Sequence, residues 1–264
     1  MFVRARQGSG RPGRGSSSLT AAVRTLELRN SSIAAIPSYM TILFKAVLAA
    51  HIIAGTAALA VGVVPILTGK GSGLHRRAGR AFANIMGVVL GAAAILSLLS
   101  FSPYFAALTV SATMLTFSGL RVLGRKRPDI HPGERARPLD WGVTLLMTSC
   151  TVFLALRATQ GYVGDDPTVF HTLVGACTLY CTYDLLRFTF PSAWPFFPRL
   201  WLYEHLVKML GAYCAVVSAF SGNVLTFLPE PWKQLWATIL FQLLTVGFIL
   251  YYALQRRRRR EARA

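Results

Sequence analysis

Acidic residues are scarce in this chain: 10 Asp and Glu in 264 positions, against 28 Lys and Arg. Charged residues of both signs reach only 14%, where an ordinary soluble domain carries roughly a quarter. That shortage excludes a soluble globular enzyme. Four cysteines are too few for a small disulfide scaffold. There is no Ser/His/Asp set, no phosphate-cradling glycine loop, no HExxH and no pair of carboxylates inside an apolar segment. A hydrolase, an ATPase and a zinc enzyme are therefore unsupported, and no residue stands out as catalytic.

What fills the space is apolar. Hydrophobic residues make up 53%, and the formal net charge is +18. A nucleic-acid-binding domain would carry such charge on a polar surface, so nucleic acid is not an expected partner. Here the apolar residues fall into long runs. A hydrocarbon core about 30 Å thick needs ~20 apolar residues of helix to cross it. Seven runs fit: Thr41–Leu67, Ala81–Phe101, Tyr104–Leu123, Trp141–Leu156, Val169–Leu186, Trp201–Ser221 and Leu235–Leu254. The expected fold is an all-α polytopic bundle of seven membrane-spanning helices over residues 40–255. The fourth run is the shortest and holds Thr144, Thr148, Ser149 and Thr151, so six spans with one interfacial segment is the competing topology.

Basic residues set the orientation. Lys70, Arg76, Arg77 and Arg80 lie in the link Gly69–Arg80. Arg121, Arg125, Lys126, Arg127, Arg135 and Arg137 lie in the next link on that side. Arg187, Arg199, Arg256 to Arg260 and Arg263 complete eighteen on one side of seven crossings. The other side has Arg157 and Lys233. By the positive-inside rule the richer side is cytoplasmic, with the basic tail 256–264. The expected location is a bacterial inner membrane, with anionic lipid headgroups as partners. The tryptophans Trp141, Trp194, Trp201, Trp232 and Trp236 fall near run ends, where headgroup layers favour them.

Residues 1–39 break the pattern. Arg4, Arg6, Arg11, Arg14, Arg24 and Arg29 sit among Gly and Ser with Glu27 the only acid, on the disfavoured side. A targeting peptide, a disordered tail, or translation from Met40 would each account for them.

Ionisable groups inside spans are costly and are site candidates by default. His51 stands on a stripe of small residues, Ala50, Ala54, Ala58 and Gly62, with Gly55 one turn away. It is read either as an axial ligand of haem b or as a partner in an interhelical hydrogen bond. Counted from span midpoints, His51 lies roughly 5 Å and His171 roughly 10 Å to the outer side, and His205 roughly 9 Å to the inner side. His51 and His171 are thus the pair for one haem, provided the first and fifth helices are adjacent. Asp184 and Arg187, three apart, are expected to pair with each other, as are Glu204 and Lys208, four apart, with Glu204 holding the His205 tautomer. Asp184, Glu204 and Lys208 are also the candidates for proton-coupled transport. Lys70, His75, Arg76, Arg77 and Arg80 suit anionic headgroups. Cys177 and Cys181 share a helix face, but without a His or acid at matching spacing they read as apolar packing rather than a metal site.

Several stretches carry a resemblance: His51…Gly55…Leu59…Gly62 followed by Lys70-Gly-Ser-Gly-Leu-His75-Arg-Arg-Ala-Gly79-Arg80; Asp140-Trp141; and Trp201-Leu-Tyr-Glu204-His205-Leu-Val-Lys208-Met209…Ser218-Ala-Phe-Ser-Gly222-Asn223. Together they resemble a family of bacterial multi-pass membrane proteins defined by a domain of unknown function. The resemblance covers about residues 40–255 and implies a fold but no catalytic residues. Three functions stay open: a structural or regulatory membrane protein, a haem-b electron carrier, and a proton-coupled transporter.

The charge asymmetry sets the first test. Reporter fusions after Leu123 and after Leu254 should read cytoplasmic, and one after Gly161 extracytoplasmic. A cytoplasmic signal after Gly161 would mean that the fourth run does not cross.

Overall fold

A computed structural model describes residues 38–161, 167–192 and 199–261. Among these the chain is helical, without strands. The described residues from 46 onward form one compact unit, and those before it are the first turns of the first helix. The helices are α1 (Ser38–Leu67), α2 (Gly73–Leu99), α3 (Pro103–Arg121), α4 (Pro138–Thr159), α5 (Pro167–Thr189), α6 (Leu200–Val224) and α7 (Trp232–Glu261). Helix is the expected answer for apolar segments of this length, since each backbone N–H and C=O must find its partner within the segment when water is absent. The expectation for residues 1–39 falls almost wholly outside the described residues.

Six of the seven helices are long and apolar enough to cross a membrane, and α5 is not among them. The sequence singled out the fourth run as weakest, and that ranking is corrected. In α4 the hydroxyls of Thr148, Ser149 and Thr151 donate to the carbonyls of Thr144, Leu145 and Met147 in the preceding turn, which removes their need for water. At 23 residues α5 is long enough, but it spends positions on His171, Asp184, Arg187 and several threonines. Its buried stripe, Cys177, Cys181 and Asp184, turns into the bundle.

Helix ends also differ from the apolar runs. The second helix begins at Gly73, not Ala81: Ser72 caps it, accepting a hydrogen bond from the His75 backbone N–H at 3.1 Å. Arg76, Arg77 and Arg80 therefore stand on the first turns of α2 rather than in a loop. At the far end α7 continues to Glu261, so Arg256 to Arg260 prolong a helix rather than form a loose tail.

The third helix is the hub. It packs against α2, α4, α5 and α6, and 61% of its most apolar stretch is buried, against 17–22% in α1, α2, α4 and α7. Two apolar clusters flank it. One joins Ala58 of α1, Phe82 and Met86 of α2, Leu210 and Tyr213 of α6, and Phe241 of α7. The other joins Ala107 and Val110 of α3, Leu154 of α4, and Phe170 and Cys177 of α5. The outer helices leave large apolar side chains exposed, such as Ile53, Leu146, Leu179 and Leu243. That surface suits hydrocarbon and would be costly in water.

The small-residue stripe on α1 has a structural use. A Cβ at Gly62 would lie 2.5 Å from the Tyr213 ring, whose hydroxyl donates to the Leu59 carbonyl at 2.8 Å. Around Gly55 the same position is open. Gly62→Ala should displace Tyr213 and lower stability by about 1–3 kcal/mol, while Gly55→Ala should be neutral or slightly stabilising through its better helix propensity. Thermal unfolding in detergent measures both, and equal behaviour of the two variants would contradict the close packing of α1 on α6.

Candidate functional site

The described links alternate between two ends of the bundle, and the Arg-rich ones share an end. There the last turns of α3 and α5 meet the first turns of α4 and α6. This crossing gathers ionisable residues that are almost wholly buried: Asp140 and Asp184 are 0% exposed, Arg187 2%, Lys208 3%, Arg125 3% and Glu204 6%. Water cannot neutralise charge so enclosed, so each group must find a partner in the protein.

The partners are not those of the local spacing. Lys208 Nζ lies 2.6 Å from Asp184 Oδ1, and Arg187 Nε lies 2.9 Å from Glu204 Oε1. Pairing is exchanged between α5 and α6, which correct the expected Asp184–Arg187 and Glu204–Lys208 pairs. The reason is geometric. The two helices run in opposite directions, so stepping along α5 from Asp184 to Arg187 matches stepping back along α6 from Lys208 to Glu204. Within one helix each acid would face its cation along the surface, whereas across the interface both pairs are enclosed.

Hydrogen bonds close each pair. Lys208 Nζ also donates to Ser118 Oγ of α3 at 2.6 Å, and the Ser118 hydroxyl donates to Asp184 Oδ2. Both Asp184 oxygens are thereby occupied, and Lys208, Ser118 and Asp184 form a closed triad across α3, α5 and α6. Tyr183 donates to Glu204 Oε1 at 2.5 Å. Arg187 Nη2 donates to the backbone carbonyl of Arg125 at 3.0 Å. Arg125 in turn lies 3.2 Å from Asp140, which Arg121 grips with two bonds of 2.7 and 2.9 Å. Nine residues, from Ser118 to Lys208, make one polar assembly. Burial pushes Arg125 below its ordinary range, and Asp140 pulls it back.

The third and sixth helices approach closely here. A Cβ at Gly119 would lie 3.0 Å from the Lys208 Cβ, so glycine is what lets Lys208 reach Ser118. The Gly119 carbonyl accepts a hydrogen bond from His205 Nδ1 at 2.8 Å. The partner fixing that tautomer is thus a backbone carbonyl of α3, not Glu204 as the sequence implied. A carbonyl only accepts, so the proton sits on Nδ1 and Nε2 remains an acceptor.

The three histidines are not brought together. His51 Nδ1 lies 3.1 Å from the Val89 carbonyl, an interhelical contact between α1 and α2. His171 bonds to the Pro167 carbonyl of its own helix, and α5 packs on α3 and α4. A haem shared by His51 and His171 would need α1 beside α5, whereas His51 is directed at α2 and α5 packs on α3 and α4. Among the described residues no group of three or more His, Cys, Asp or Glu is arranged to hold a metal ion. Cys177 and Cys181 are free and buried, with Cys177 Sγ directed at the Ala107 carbonyl.

The basic loop divides in two. Lys70 Nζ donates to the carbonyls of Pro65 and Ile66 at 2.8 and 2.9 Å, and His75 Nδ1 meets Pro65 at 3.0 Å. Both finish the C-terminus of α1, where orphan carbonyls favour cations. Burial there lowers the Lys70 ammonium from its ordinary range. Arg76, Arg77 and Arg80 remain exposed.

Sequence reasoning found Asp184, Glu204, His205 and Lys208 but missed Ser118, Arg121, Arg125, Asp140, Tyr183 and the burial of Arg187. Arg121, Arg125 and Arg187 had read as loop charges that hold the chain inside. Asp140 carried a signal, standing beside Trp141 where the fourth apolar run opens.

Removing one partner of a buried pair strands the other. Lys208→Ala should cost about 3–5 kcal/mol, and Lys208→Met combined with Asp184→Leu should recover most of it. Unfolding midpoints in detergent test this; a double variant as unstable as the single one would show that the pair itself is not the source of the loss.

The chain matches no family model, no curated protein and no solved structure.

Proposed function

We propose that this is an integral membrane protein of the bacterial inner membrane type, with the Arg-rich end and the C-terminus in the cytoplasm, and that it carries a small solute coupled to protons. The eighteen-to-two asymmetry of basic residues supports the orientation.

One observation carries the transport reading. The Lys208–Ser118–Asp184 triad and a cavity of about 90 Å³ lie along the same helices, α3, α5 and α6. The cavity, to which α7 also contributes, is lined by Tyr104, Ser111, Gly211, Ser218, Gln234 and Gln242 among others. Ser111 stands seven residues before Ser118, roughly 10 Å along the helix. A few polar groups in a mostly apolar concavity are the usual make-up of a small-molecule site. Ionisable groups at membrane depth commonly mark proton paths.

Coupling follows from the triad. A proton on Asp184 removes its attraction for Lys208 and leaves Ser118 free to turn. Of the two ion pairs between α5 and α6, Arg187–Glu204 then remains, with the Tyr183–Glu204 hydrogen bond beside it. A second reading, a static clamp that holds the bundle, is favoured by the pairing of every acid in the assembly: Asp140, Asp184 and Glu204 each have a cation within 3.2 Å.

The purified protein in vesicles on a current-recording surface separates the two. Amino acids, sugars and organic acids are offered in turn under a pH gradient. At least one class should evoke a current that tracks the gradient and disappears in Asp184→Asn. Silence across the panel, with the protein shown to be folded and inserted, would leave the clamp as the reading.

A further inference from the structure

The second cavity of the molecule lies at the Arg-rich end and is built unlike the first. It also measures about 90 Å³, and its wall is Arg121, Gly124, Arg125, Gly133, Arg135 and Arg137. Four of six lining residues are arginines. We propose that this cavity binds a phosphate group, presented either by an anionic lipid head or by a soluble phosphate compound. The site is separate from the solute cavity and does not depend on transport.

Charge is the first argument. Four guanidinium groups surround the space, and one carboxylate, Asp140, serves them. Asp140 takes two bonds from Arg121 and one from the backbone N–H of Arg137, and Arg125 stands 3.2 Å from it. The neighbouring acid, Glu134, is turned elsewhere, accepting from the Arg127 N–H at 2.6 Å. Arg127 itself pairs with Asp129. The lining therefore holds three positive charges in excess of its acid.

Unmet hydrogen-bonding capacity is the second. Arg125 is 3% exposed, yet none of its three guanidinium nitrogens has a hydrogen-bond partner of good geometry among the described residues. The contact with Asp140 is an ion pair that leaves the donors unsatisfied. Buried donors without acceptors are costly, and a guanidinium presents a planar fork that matches phosphate oxygens two at a time. A tetrahedral oxyanion placed in this cavity would meet that need.

Position is the third. Arg125 lies 4.6 Å over the Phe188 ring, Lys126 lies 4.9 Å over Trp201, and Phe188 packs edge-on against Trp141. Aromatic residues of this kind gather at the headgroup layer, the depth at which a lipid phosphate is found. Gly124 and Gly133 have no atom within 4 Å of a built Cβ, so the mouth of the cavity is not closed by its glycine edges.

The test uses the full-length protein. Inorganic phosphate is titrated calorimetrically into the detergent-solubilised protein, with chloride as the control anion. In parallel the protein is reconstituted in phosphatidylcholine vesicles with and without phosphatidic acid, then extracted, and retained lipid is weighed by native mass spectrometry. Arg135 and Arg137 are exposed, so Arg135→Gln with Arg137→Gln should fold normally. That variant should lose about tenfold or more of the affinity or retention. Arg76→Gln with Arg77→Gln, at the same end but away from the cavity, should lose little. Phosphate binding without lipid retention assigns a soluble source. Phosphatidic acid retention that phosphate does not displace assigns the lipid. Neither signal in the wild type, or equal losses in the two double variants, overturns the site. Arg125→Gln, checked for folding by its elution volume, should abolish whichever signal is seen.

Discussion

The exchanged pairing of Asp184 with Lys208 and of Glu204 with Arg187 is the constraint on which the basic end of the bundle depends. Four charges withdrawn from water carry a desolvation penalty of several kcal/mol each, which only close, well-hydrogen-bonded partners offset. Those partners are on different helices. Separating α5 from α6 by a few ångströms would strand all four at once, so the register and direction of this helix pair are held by electrostatics where apolar packing alone would allow sliding. The same demand accounts for Ser118, which takes the Asp184 oxygen that Lys208 leaves open, and for Tyr183, which shares Glu204 Oε1 with Arg187.

That constraint extends to α3 through glycine. Lys208 reaches Ser118 because Gly119 removes the side chain that would hold the two helices apart. Leu115 and Gly211 repeat the arrangement one turn further along, where a Cβ would lie 3.1 Å from the leucine. Close approach of backbones is how helices associate where there is little hydrophobic force to drive them together. The hub position of α3 and its buried polar residues follow from the same fact: a helix enclosed by four neighbours does not need a lipid-compatible surface.

The Arg-rich end thus combines two kinds of charge. Arg125 and Arg187 are built into the interior with Arg121 half-buried beside them, and Arg76, Arg77, Arg80, Arg135 and Arg137 are exposed. Loop position in the sequence does not separate them. The exposed group bears on insertion and on anionic surfaces, and the interior group holds α3, α4, α5 and α6 in one assembly. Arg125 belongs to both, being enclosed yet facing a cavity that other arginines line.

The sequence by itself determined the class of the protein, because long apolar runs with few charges leave helices as the available structure in hydrocarbon. It also marked Asp184, Glu204, His205 and Lys208 as residues whose cost demands an explanation, since rarity of charge inside an apolar run is visible without coordinates. Partner choice was decided only in three dimensions. Local spacing offered Asp184 to Arg187 and Glu204 to Lys208, and nothing in one chain reveals that two antiparallel helices will trade them. Nor could the sequence tell that Arg125 and Arg187 leave the surface. Burial depends on what neighbours surround a residue, and neighbours distant in sequence are set by how the helices pack.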